Sequence, residues 1–232
     1  MLNTQLLDSV TNYTIYLKND SNDGKNFWCF LEKPVGVPDG AVFANSSASL
    51  FVEPSYPGEN SFIIPLQYSL AAGATNKEVG LGVQIKTSHI IEAQLRQTWE
   101  AEYATVPPNK GPRLSLVQGE KSPEKTIGAL SNSFNKTKNE DNKWYSSMSF
   151  GIQTQNGFLG VTWSPSPGDK HTITPKFSFY IATGSYTSYE LADIATISRN
   201  SAKIEISTFK NLEATVTLTD TGEWIVTPGK VE

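Results

Sequence analysis

The chain holds two histidines, His89 and His171, and one cysteine, Cys29. Zinc requires three or four such ligands brought together. Two histidines on separate segments, with no Cys-x-x-Cys pair, predict neither a metal centre nor a cofactor. His171, in the turn Gly168-Asp-Lys-His171, reads as a solvent-facing residue, and His89 at a strand start reads the same way. A nucleophilic serine would need a Gly-x-Ser-x-Gly elbow, which does not occur. Gly80-Leu-Gly82 runs on into Val-Gln-Ile, not into the third glycine and helix of a dinucleotide loop. Asp20-Ser-Asn-Asp-Gly24 has the start of a calcium loop without its closing glutamate, and reads as a turn. Glu100 and Glu102 would stand about 7 Å apart on one strand face, a spacing suited to inverting glycoside hydrolysis. Any two acids at i and i+2 pass that test, so the expectation is a protein that is not an enzyme.

Aromatic residues are the more informative group. Tyr56, Trp163, Tyr186 and Tyr189 are the expected ligand-binding residues, because aromatic rings stack on sugars or anchor interfaces. Gly184-Ser-Tyr186-Thr-Ser-Tyr189 and Pro54-Ser-Tyr56-Pro57 surround tyrosine with small or turn-forming residues, as recognition loops do. The first functional expectation is therefore a binding or self-assembling protein that presents Tyr-rich loops to a glycan or protein surface. The second is a membrane-active, toxin-like subunit. From Trp144 to Pro167 the chain is uncharged, and Met148, Phe150 and Ile152 alternate with Ser147, Ser149 and Gly151 up to a tip at Asn156-Gly157. That is the pattern of a hairpin with one lipid-facing side.

The elements that must position these residues are strands. Period-two alternation predicts a hairpin from 13–18 to 27–30 through Asn22-Asp23-Gly24. It continues over 42–52, with a break near Asn45-Ser46, over 62–70, where Pro65 calls for an edge or a bulge, and over 79–86. Ile91 to Tyr103 alternate strictly and predict one long strand, although Ile91, Leu95, Trp99 and Tyr103 also fall on one helical stripe. Further strands are expected over 144–163 as a hairpin, 172–182, 193–198, 203–207, 212–218 and 223–227. The expected core includes Ile15, Leu17, Phe30, Ile64, Leu66, Val83, Ile85, Phe150, Ile152, Val161, Phe177, Phe179, Ile181, Ile204, Ile206, Val216, Leu218 and Trp224. The sum is an all-β chain, a single-domain antiparallel β-sandwich of about a dozen strands over 1–232, with a mobile polar loop at about 119–143.

A formal charge of −4 and a pI near 5.3 offer no basic stripe, so nucleic acid is not an expected partner. Residues 1–10 lack the cationic start and apolar run of a secretory signal, and a lone cysteine fits synthesis in the cytoplasm, with release by another route left open. Unpaired sheet rims could recruit a second copy and form a homo-oligomer. The segments Thr162-Trp-Ser-Pro-Ser-Pro167 and Ile173-Thr-Pro-Lys176 resemble a group of uncharacterised bacterial and fungal β-rich proteins with the same Trp-x-Pro-x-Pro and Ile-Thr-Pro-Lys pairing. The resemblance implies a β-rich fold and brings no activity with it.

Overall fold

Alternation along Asn12–Asn19 (β1) sends Ile15 and Leu17 into the interior, while Lys25–Leu31 (β2) is apolar almost throughout because both of its faces are covered. The computed structural model describes residues 10–85, 87–105 and 110–231, so the segment read for a signal lies outside it apart from Val10. The strands continue with β3 (Val42–Ser46), β4 (Ala48–Val52), β5 (Ser61–Pro65), β6 (Tyr68–Thr75), β7 (Thr87–Ala93), β8 (Gln97–Glu102) and β9 (Arg113–Lys121). After β10 (Ile127–Ser131) and helix α1 (Lys136–Asp141) come β11 (Tyr145–Thr154), β12 (Gly157–Trp163), β13 (Lys170–Ile173), β14 (Ser178–Thr183) and β15 (Glu190–Ala192). Helix α2 (Ile194–Arg199), β16 (Ser201–Glu205), β17 (Glu213–Leu218) and β18 (Trp224–Pro228) follow.

The protein is all-β, and its described residues form four sheets ordered β18-β17-β1-β5, β13-β10-β8-β9, β15-β3-β12-β11-β6-β7 and β16-β14-β2-β4. Pairing is mainly antiparallel, but β1 runs parallel to β17 and β8 parallel to β10. Ile15 and Ile64 from the first sheet, Ile127 from the second, Phe150 and Val161 from the third, and Phe27 and Ile181 from the fourth share one apolar cluster. That is the packing expected of sheets laid face to face. Trp28, Phe30, Ala44, Ala182 and Ile197 form a separate cluster, in which α2 supplies Ile197. Each fully buried large side chain contributes roughly 1.5–3 kcal/mol.

Several expectations change. Among the described residues there are eighteen strands, not about a dozen, because breaks divide segments that alternate continuously in sequence. The expected hairpin of β1 and β2 does not form: β1 pairs with β17 and β5, β2 with β14 and β4, and the turn between them crosses from one sheet to another. Asn19, buried at that turn, explains the crossing. Its amide donates to the carbonyls of Asp23 (2.9 Å) and Val52 (2.8 Å) while its oxygen accepts from the Ser21 backbone and hydroxyl. The long strand over 91–103 is broken at Arg96, whose φ of 72° turns the chain, so β7 and β8 lie in different sheets and the helical alternative fails as well.

Within 79–85 the one sheet contact is a bridge from Gln84 to Glu190, where a strand was expected. The segment 193–198 is helical, not extended, because the Asp193 carboxylate caps it by accepting from the Thr196 backbone at 2.8 Å. The stretch 119–143, expected as a loop, contains β10, with Ile127 and Ala129 fully covered, and α1, capped by Asn135. Leu66 and Ile206 are exposed, outside the core expected of them. Pro65, by contrast, does lie on an edge strand.

Glu32 closes the end of β2 with ion pairs to Lys176 (3.0 Å) and Lys203 (3.3 Å). Burial pushes its pKa up, but the hydrogen bonds from the lysines outweigh burial and hold it below the usual carboxylate range. A lowered folded-state pKa stabilises above the unfolded value of about 4.3, and the benefit disappears as pH falls through the folded value. In urea titrations Glu32→Gln should therefore be less stable than the parent at pH 7, and the two should converge in acid below pH 4 or so. A gap that is constant across that range would rule out the pair as its source.

Candidate functional site

Three chain segments converge at one end of the six-stranded sheet. The first is the tip of the β11–β12 hairpin, where Thr154 pairs with Gly157 and the two loop residues are Gln155 and Asn156. The turn expected at Asn156-Gly157 is thus displaced by one residue. Thr154 fixes it, its hydroxyl donating to the Gly157 carbonyl (2.8 Å) and accepting from the Asn156 backbone (3.1 Å). The second segment is Ser47, between β3 and β4, where the chain leaves one sheet for another. Gly157 has φ 133°, and a Cβ there would stand 2.8 Å from that of Ser47, so only glycine lets the tip approach so closely.

The third segment is the start of β15. Ser46 holds it: its hydroxyl lies 2.6 Å from the Thr187 carbonyl and 2.7 Å from that of Glu190, and its own carbonyl accepts from the Tyr189 backbone at 2.7 Å. Leu191 also exchanges backbone bonds with Gly82 and Val83. These contacts impose φ 67° on Tyr189, a left-handed conformation unusual for a bulky residue, and leave the residue 64% exposed. Strain of this kind, held by surrounding bonds, is found where a side chain must be aimed.

Together they enclose a cleft of about 420 Å³ lined by Asn45, Gln153, Gln155 and Asn156, the hydroxyl residues Ser47 and Thr154, and Ile85, Phe158 and Tyr189. Asn45 is buried and its carbonyl oxygen already accepts from Thr162 (2.9 Å), itself bonded to Ser149 (2.7 Å), so its amide nitrogen is the group left to donate into the cleft. Gln153 donates to the Thr154 carbonyl at 3.2 Å, which leaves its oxygen to accept. No lining residue carries a charge.

Of the aromatic residues expected to bind, Tyr189 alone lines this cleft. Tyr186 packs edge-on against Trp28 and Phe30, at 5.6 and 5.1 Å between ring centroids, and supports the loop from beneath. Tyr56 is exposed but lies over Gly58, apart from the cleft. Trp163 is a core residue, 1% exposed, and closed to an outside ligand. Met148, Phe150 and Ile152 are also core, on a strand with neighbours on both sides, so presenting them to lipid would require the hairpin to leave β6 and β3. Asn156 and Gly157 line the cleft. Apart from Asn156, expected as a hairpin tip, the amides and hydroxyls around Tyr189 were not singled out in sequence. Their signal is Gln153-Thr-Gln-Asn156, a polar tip on an apolar hairpin, and Asn45-Ser-Ser47 between two apolar runs.

His171 is not solvent-facing: it packs edge-on to Trp163 (5.6 Å), with Nε2 3.7 Å from Asp169. His89 accepts the Leu114 backbone N–H through Nδ1 (2.9 Å) and thereby joins β7 to β9. Burial pushes the Cys29 thiol far up, which leaves it unreactive. Among the described residues no group of three or more His, Cys, Asp or Glu is arranged to hold a metal.

A family model described as RhiA matches residues 10–229. The chain belongs to the RhiA family. No curated protein and no solved structure matches it. The RhiA match takes in all the described strands and every residue of the cleft.

Glycine tolerates the left-handed conformation that tyrosine is forced to adopt here, by about 1 kcal/mol. Tyr189→Gly should therefore unfold at the same temperature as the parent or a few degrees above it, even though it removes a large side chain. A clear loss of stability would mean that the ring packs rather than projects.

Proposed function

We propose that the protein binds a glycan without chemically altering it, with Tyr189 as the stacking surface and the amides of the β11–β12 tip as hydroxyl partners. The observation that carries this reading is Tyr189 itself: exposed, held in a strained conformation, and set at the mouth of an uncharged, amide-lined cleft. An amide offers both donors and acceptors, which match the vicinal hydroxyls of a sugar, and an aromatic face takes the apolar side of the ring. The cleft's volume suits a small ligand. Lining residues without a carboxylate lack the acid pair that glycoside hydrolysis uses, which favours binding over catalysis.

A printed glycan array followed by calorimetry on the retained sugars tests the reading. Tyr189→Ala should weaken binding about tenfold, which corresponds to ~1.4 kcal/mol. Gln155→Ala, a change in an exposed loop residue, should weaken it less and leave stability unchanged. Retention of no glycan, or equal affinity in Tyr189→Ala, would refute the assignment.

A further inference from the structure

A larger groove, of about 630 Å³, opens where two sheets end together. Its walls are the β1–β2 turn, the β17–β18 turn and the end of α2. β1 and β17 finish side by side, with the Asp20 backbone donating to Leu218 (2.8 Å), and buried Asn19 holds the first turn in place through the four bonds already described. Trp224, half-buried and edge-on to Phe27 at 5.7 Å, forms an aromatic wall. Arg199 and Asp220 are exposed, and among the described residues neither is held in an ion pair. Lys25 is paired with Asp23 (3.6 Å), so the two cations and two carboxylates of the lining cancel. The hydroxyl of Ser201, a further lining residue, is shielded from solvent and has no partner among the described residues.

Strand β4 connects the two sites. Ser47, at the cleft of Tyr189, immediately precedes it, and Val52, at its other end, pairs with Lys25 in the groove. Five residues of strand span roughly 17 Å. β4 is the edge strand of its sheet, and Phe51 on it is 55% exposed with its ring over Gly24, beside the groove.

We infer that the groove is a second subsite for one extended, neutral oligosaccharide, which runs along the β4 edge from Tyr189 past Phe51 to Trp224. This rests on the glycan reading of the first cleft and goes beyond it by assigning ligand length, charge and a second set of contacts. Trp224 stacks on a sugar ring, Asp220 accepts from its hydroxyls, and Arg199 donates to its oxygens. A groove with balanced charge favours a neutral unit over a uronate or a sialate. Once one end of the chain is bound, the second contact is intramolecular, so affinity rises with length until both subsites are filled.

The test is an array of neutral and acidic glycans of graded length, probed with the parent, Tyr189→Ala, Trp224→Ala and Asp220→Ala. The parent should prefer neutral chains of about four or more units, which are long enough to span both sites, by at least about tenfold over monosaccharides. Trp224→Ala and Asp220→Ala, the latter at an exposed position, should retain short sugars while losing most of that preference, and Asp220→Ala answers the question if the loss of the indole impairs folding. Unchanged length preference in Asp220→Ala and in a folded Trp224→Ala would overturn the second subsite and leave the first intact, as would preferential retention of acidic glycans. If the parent retains nothing, both readings fall.

Discussion

The architecture depends on moving the chain between sheets without leaving buried backbone groups unpaired. Strands satisfy their own N–H and C=O groups, but a crossing has no ladder to do so, and an orphaned buried group is costly. Side chains take over at the crossings. Asn19 supplies two donors and a shared acceptor where β1 gives way to β2, and Ser46, where β3 gives way to β4, ties the crossing to the Thr187 and Glu190 carbonyls at the entry to β15. Both crossings are short, polar and tied down. Each also borders a concavity, the first the groove lined by Asp23 and Lys25 and the second the cleft lined by Ser47. The candidate binding surfaces are thus by-products of how the sheets are joined.

A polar thread runs through the same region. Ser149, Thr162 and Asn45 form a buried chain of hydrogen bonds across three adjacent strands. Beside the apolar side of β11 and β12, where Phe150, Ile152, Leu159 and Val161 pack, this second side is built from small hydroxyl residues and glycines. Small residues on β11 and β12 leave room over the sheet, and Phe158 fills part of it by lying over Gly160. Orienting Asn45 through Thr162 costs little because every strand involved is already held by ladders on both sides. The amide is therefore fixed in advance, which would lower the ordering cost of binding a ligand there.

Much of this was legible in the residues. Alternation in β1, β17 and β11, the edge position of Pro65 and the break between β3 and β4 follow from side-chain period and proline chemistry alone. What was not legible depended on distant partners. β1 and β2 look like a hairpin until Asn19 finds Val52, and Trp163 looks like a surface aromatic until β12 becomes a central strand. Helix α2 is six residues long, too short for an apolar stripe to show, and only the Asp193-x-x-Thr196 spacing marks its start. The binding candidate followed the same rule. Tyr189 was visible as a tyrosine among small residues, whereas its amide neighbours come from segments that are more than a hundred residues apart in sequence for Asn45 and Tyr189 and meet only in the fold.

The parallel pairing of β1 with β17 sets the order of assembly. Thr14 lies opposite Glu213, so β1 must wait for a strand about two hundred residues further along the chain before its sheet can close. Contacts this remote in sequence slow folding, because loop entropy has to be met before they form. Until β17 is made, β1 has β5 as its one neighbour among the described strands and keeps its other rim open, so the nascent protein carries a sticky edge. Premature termination before residue 213 would leave that edge permanently uncovered, marking the fragment for chaperones or proteases.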